Sequence, residues 1–243
     1  NPYCSRKKQL RLTLGLEKRK GNNDACRWGT NNEKNAVKDY MVRTGNIVKD
    51  HGISTHPDYA WLGGSPDGLI GDDGMIEAKC PFVNKVCHTK IPLYYYCQIN
   101  GLMEILNREW CDYISWTPTE MKVYRVYRDR ELFDFLMEKY MLFFACMQRG
   151  CDCMPNMSSA DKAITTQRIE DSDAKTDYGF WTAVEPGNLK GKWEGPPDDP
   201  YLSYSSDSTQ EGSPSSKRGR EDGTNDIRKM LKPVCSTAVA CTA

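Results

Sequence analysis

The sequence predicts an α/β protein, a mixed sheet with helices on both faces, followed by a disordered C-terminal tail. Two observations carry that expectation. Apolar residues alternate between helical and strand-like spacing in the order helix, strand meander, helix, strand, strand, helix. After about residue 150 the composition then turns to Ser, Pro, Gly, Asp and Lys with few aliphatic side chains.

The first helix is read from Thr30, where Glu33, Ala36, Val37, Tyr40 and Met41 fall in register and Gly45 supplies a stop. Thr30 followed by Glu33 has the form of a capping box. A short extended stretch runs from Tyr59 to Gly63. Leu69-Ile70 and Met75-Ile76 flank Gly71-Asp72-Asp73-Gly74, a hairpin-turn signal, and Pro81 ends the second strand. Residues 92–107 return to helix, with Tyr95, Leu102 and Ile105 among the apolar positions. Cys111–Trp116 and Met121–Tyr127 read as strands joined by the turn Thr117-Pro118-Thr119-Glu120. A long amphipathic helix, from about residue 130 to Arg149, carries Leu132, Phe135, Leu136, Tyr140 and Phe143.

Residues 1–150 are therefore expected to form one folded domain and residues 151–243 a mostly disordered tail, with short ordered pieces around Tyr178–Trp181. Lys217-Arg218-Gly219-Arg220 reads as a solvating charge cluster in preference to a nuclear-import patch. No internal repeat is present.

Formal net charge is zero, so bulk charge does not point to a nucleic-acid partner. Distribution is more telling. Residues 5–20 are strongly basic and residues 169–211 lean acidic. The basic stretch suits either a phosphate-binding arm or a solvated helix face. Eleven cysteines occur without a Cys-x-x-Cys pair, and no apolar run is long enough for a membrane span or a signal peptide. These features predict an intracellular protein without membrane association and with mostly reduced thiols; nucleus and cytoplasm are both open. The chain begins with Asn1, which predicts a fragment of a longer product.

The chemistry concentrates between residues 65 and 79, in Ser65-Pro66-Asp67-Gly68 and Glu77-Ala78-Lys79. Glu77 and Lys79 lie two apart on one strand and share a face. Pairing across the Gly71–Gly74 turn brings Asp67 near Glu77. Two crowded carboxylates anticipate a cation, and Mg²⁺ takes one or two protein carboxylates, several waters and phosphate oxygens. A neighbouring lysine can orient or deprotonate an attacking water, or offset charge growing on a phosphate. An ordinary turn followed by an exposed strand explains the same residues without chemistry. Glu33 lies on the helix face expected to bury, where it either meets a cation or serves the capping box. Gln98 either orders a water or phosphate oxygen, or hydrogen-bonds in a core.

Taken together, Trp28-Gly29, Glu33, Ala36, Ser65-Pro66-Asp67-Gly68-Leu69, Glu77-Ala78-Lys79-Cys80-Pro81-Phe82 and Gln98 resemble the lambda-exonuclease, or YqaJ viral-recombinase, branch of the PD-(D/E)xK nucleases. The resemblance covers residues 27 to about 128. It implies a restriction-endonuclease-like αβββαβ core. It also implies that Asp67, Glu77 and the carbonyl of Ala78 ligate Mg²⁺, with Mn²⁺ as a substitute. Lys79 would handle the nucleophilic water, Glu33 and Gln98 would complete the site, and Ser65 and Arg27 would contact DNA phosphate. The implied reaction is hydrolysis of linear duplex DNA with free ends, 5′ to 3′, in recombination, repair or viral DNA processing. A single-strand annealing protein and a homo-oligomer are the implied partners. One departure stands out: the family's Arg and Thr-Ala-Ser upstream of the Trp-Gly helix are poorly matched by Arg11-Leu12-Thr13-Leu14. Preference for a 5′-phosphate and processivity lose their sequence support accordingly.

Three rival readings use other features. Cys80, Cys87 and His88, with Cys146, Cys151 and Cys153, offer soft ligands, though their spacing fits neither a zinc knuckle nor a cysteine-held cluster. An endonuclease of the same fold would carry the same residues. A DNA-binding pseudonuclease is disfavoured by the intact set.

Overall fold

A computed structural model describes residues 4–18 and 24–183. The basic stretch after Ser5 is helical, α1 (Arg6–Thr13), and the Ser5 hydroxyl caps it by accepting from the Lys8 N–H at 3.2 Å. This helix is not a free arm. Leu10 is buried with Cys146 and Met154, and Arg11 pairs with Glu17 and Asp152.

The second helix, α2 (Asp24–Thr44), starts earlier than the sequence predicts. Asp24 supplies an acidic first turn, which the helix dipole favours. Thr30 and Glu33 consequently lie inside the helix, and the expected capping box does not form. Glu33 is thereby released from a capping role.

Two short strands, β1 (Ser54–Thr55) and β2 (Gly63–Gly64), pair antiparallel where a single extended run was expected. The predicted hairpin then follows as β3 (Gly68–Ile70) and β4 (Gly74–Lys79), with Leu69 opposite Met75. Gly71 turns the chain with φ of +53°. Gly68 is needed for a different reason. A side chain there would strike Val48 and come within 3.3 Å of the Lys49 carbonyl, because Lys49 bridges to Leu69.

Helix α3 (Leu93–Ile105) crosses over to β5 (Trp110–Thr117), which pairs parallel to β4. Next come β6 (Glu120–Tyr127), α4 (Arg130–Gln148), α5 (Ser159–Asp173) and β7 (Asp177–Ala183). Strands β6 and β7 each pair antiparallel to the strand before them, so the five-stranded mixed sheet has the order β3-β4-β5-β6-β7.

Alternation along the strands divides the core in two. Met75, Cys111, Tyr113, Tyr124 and Val126 pack against Tyr96, Ile99 and Met103 of α3, Leu132 and Leu136 of α4 and Ile169 of α5. Ile76, Ala78, Ile114, Met121 and Val123 pack against Ala36 and Tyr40 of α2. A buried polar pin joins that second layer to the sheet. Asp112, 0% exposed, accepts from the Tyr40 hydroxyl at 2.6 Å and from Arg125 at 2.8 and 2.9 Å. The Arg125 guanidinium lies 3.9 Å from the ring centroids of both Trp110 and Phe180.

Helix α5 and strand β7 fall within the segment that composition assigned to a disordered tail. Only the Tyr178–Trp181 portion was expected to be ordered. The segment folds because polar contacts hold it. Ser172 meets Tyr96 at 2.9 Å and donates to Asp129 at 2.8 Å, and the Tyr178 hydroxyl donates to Asp173 at 2.6 Å. An apolar-composition argument does not register such contacts. The remainder of the expected tail, 184–243, including Lys217–Arg220, lies outside the described residues.

Ile169 is the buried apolar residue by which α5 enters the main core. Ile169→Ala should therefore lower unfolding free energy by about 2–4 kcal/mol, measured by urea titration of the full chain. An unchanged midpoint would show that α5 is not docked.

Candidate active site

Strand β4 delivers Glu77 and Lys79 to the face that looks toward α3. Glu77 is 2% exposed, and its Oε1 accepts from both the Lys79 ammonium and the Gln98 side-chain amide, the latter at 2.7 Å. Of the two partners open to Gln98 in the sequence, the structure shows the Glu77 carboxylate. Asp67 precedes β3 and is fixed on the neighbouring strand. Its N–H donates to the Ile76 carbonyl at 3.2 Å, and its Oδ2 accepts from the Ala78 N–H at 2.7 Å. A strand residue points its N–H and C=O to the same edge, so the Ala78 carbonyl also opens toward Asp67.

Glu33 approaches from α2 and belongs to the same electrostatic group. Burial, then the charge of Asp67, raises its carboxyl above the usual range, while Lys79 opposes the shift. Burial likewise raises Asp67, against the pull of Lys79 and the Ala78 N–H. Glu77 is pushed up to about 7, chiefly by burial, with Asp67 and Glu33 adding to it and Lys79 working against it. Burial disfavours the Lys79 ammonium, but Glu77, Asp67 and Glu33 more than offset that and leave its pKa raised.

The remaining two predicted residues engage other partners. Ser65 donates to the His51 carbonyl at 3.3 Å, and exposed Arg27 pairs with Asp24 in the first turn of α2. Tyr95, an apolar position of the predicted helix, also reaches this group: its ring centroid lies 5.0 Å from Lys79 Nζ. Its spacing from Gln98, i and i+3 on one helix, was the available signal.

The residues fit a hard divalent cation. Glu77 Oε2 is buried and has no hydrogen-bond partner, which is costly unless a cation or water meets it. With Asp67 and the Ala78 carbonyl it would make an all-oxygen donor set of the kind Mg²⁺ accepts while keeping waters. A divalent cation held there would acidify a coordinated water and offset charge on a phosphate oxygen. The soft-ligand alternative finds no support. Among the described residues no three His, Cys, Asp or Glu side chains converge as a metal cage, which holds for the carboxylates as for the thiols, so the oxygen set rests on two carboxylates and a backbone carbonyl. Cys151 and Cys153 are bonded to each other, Cys146 is buried against Leu10, and burial pushes the Cys80 thiol up to about 12.

This mixed sheet, with Asp67 and the Glu-x-Lys strand meeting at its second strand, is that of the PD-(D/E)xK nuclease fold. Residues 3–109 match the YqaJ-like viral recombinase domain. The dAMP complex of the exonuclease LHK-Exo is 26% identical, with a TM-score of 0.51 over 66% of this chain and 82% of that one. Another structure of that protein, described as an alkaline exonuclease from Laribacter hongkongensis, is 25% identical, with a TM-score of 0.49 over 66% of this chain and 92% of that one. No curated protein matches the chain. Among the described residues no helix is long and apolar enough to cross a membrane.

Raised carboxyl pKa values make a cation-binding prediction with a definite sign. Without a cation, the folded protein favours neutral Asp67 and Glu77. Their contribution to stability is full below the ordinary carboxylate range and is lost as pH rises through about 7 for Glu77. A bound cation stabilises the charged forms, so Mg²⁺ should raise the melting temperature more at pH 8 than at pH 5. Glu77→Gln should remove the increment. Equal shifts at both pH values in scanning calorimetry would sink the assignment.

Proposed function

We propose that the chain is a divalent-cation-dependent DNA exonuclease that hydrolyses phosphodiester bonds of linear duplex DNA, 5′ to 3′. The observation that carries this reading is the convergence of Lys79 and Gln98 on the buried Glu77 carboxylate, beside Asp67. The YqaJ-like domain and the likeness to LHK-Exo support the same class.

In this reading Asp67, Glu77 and the Ala78 carbonyl hold Mg²⁺ or Mn²⁺. Lys79 orients or deprotonates the attacking water. Gln98 fixes the Glu77 carboxylate, and Glu33 adds negative charge that favours the Lys79 ammonium. Ser65 and Arg27, both exposed, are left to contact DNA phosphate. Recombination, repair or viral DNA processing is the setting this activity suits, with a single-strand annealing protein and self-association as the expected partnerships.

Lys79→Ala and Asp67→Ala should each reduce Mg²⁺-dependent degradation by about 10²-fold or more while the thermal unfolding transition persists. A time course on 5′-labelled and 3′-labelled linear duplex, with closed-circular duplex beside it, reads polarity. Full activity in Lys79→Ala would overturn its role, and efficient cutting of the circle would replace the exonuclease reading with an endonuclease.

A further inference from the structure

Lys79 has two neighbours of different kinds. One is the Glu77 carboxylate, whose oxygens a divalent cation also requires. The other is the face of Tyr95, 5.0 Å from the ammonium and within the range where a ring quadrupole attracts a cation. A cation at the free Oε2 of Glu77 would share the charge that holds the first contact and leave the second untouched.

The ring is itself held on several sides. Tyr94 lies 4.2 Å from it, centroid to centroid, with His88 at 6.2 Å and Tyr113 at 6.3 Å. His88 and Tyr113 are locked to each other by a hydrogen bond between Nδ1 and the phenol oxygen at 2.7 Å. The His88 carbonyl accepts from the Tyr124 hydroxyl at 2.6 Å, so β6 also anchors the cluster. Tyr95 and Gln98 sit three apart on α3, on the face toward β4. One helix face thus addresses both members of the Glu-x-Lys pair.

We propose that Tyr95 is a positioning residue of the site: its ring face holds the Lys79 ammonium toward the carboxylates, independently of the Glu77 ion pair. The inference rests on the nuclease reading for its catalytic consequence and on geometry alone for the contact. The aromatic face is the required feature, and the hydroxyl is dispensable.

Two readouts on the full chain test it. In cation-free protein with ¹³C-labelled lysine, the ε-methylene protons of Lys79, assigned by their loss in Lys79→Ala, should be shifted upfield by the ring current. Tyr95→Phe should keep that shift, and Tyr95→Leu should abolish it. With Mg²⁺ and linear duplex, Tyr95→Leu should lower kcat about tenfold with little change in KM, and Tyr95→Phe should restore it. A Lys79 signal without the upfield shift, or one unchanged in Tyr95→Leu, overturns the contact whatever the activity. Wild-type kcat in a folded Tyr95→Leu overturns the positioning role. An unshifted Mg²⁺-dependent rate of zero in the wild type, with the ring-current shift present, instead defeats the nuclease reading and leaves the contact standing.

Discussion

A carboxylate cannot be removed from water without compensation, and the arrangement around Glu77 follows from that constraint. Lys79 supplies opposite charge and Gln98 a directed hydrogen bond, yet one carboxylate oxygen is still without a partner. Asp67, tied to the backbone of β4, adds like charge nearby and makes the deficit worse. The folded chain therefore carries an electrostatic imbalance that favours protonation or a cation. A site built for chemistry commonly has this character, because groups perfectly satisfied by one another have nothing left for a ligand.

Hairpin chemistry made much of this legible in the sequence. Gly71-Asp72-Asp73-Gly74 sets the register that carries Asp67 beside Ala78, and strand alternation puts Glu77 and Lys79 on one face. Gln98 could be placed on a helix but not aimed, since its partner is distant in sequence. Glu33 was legible as a residue and misleading as a position. Its fit to a capping box disappeared once the helix continued back through Gly29 to Asp24. Ser65 meets the His51 carbonyl and Arg27 meets Asp24, and neither contact was legible from the motif residues themselves.

Helix α5 was invisible for a different reason. Periodicity arguments register apolar stripes, and α5 docks with Ile169 together with buried Ser172 and Asp173. Its partners, Tyr96 and Asp129, lie far away along the chain. A helix docked by one apolar residue and a few long-range hydrogen bonds reads, residue by residue, like a linker.

Among the described residues β7 is the end strand of the sheet, paired along β6 and braced by Phe180 against Arg125. Ending the chain at the composition break near Gly150 would leave the β6 edge with unpaired N–H and C=O groups beside a row of apolar side chains. Such an edge is a template for pairing with other copies. The boundary that composition suggests would thus yield a shorter protein that keeps Asp67, Glu77 and Lys79 and gains a tendency to aggregate.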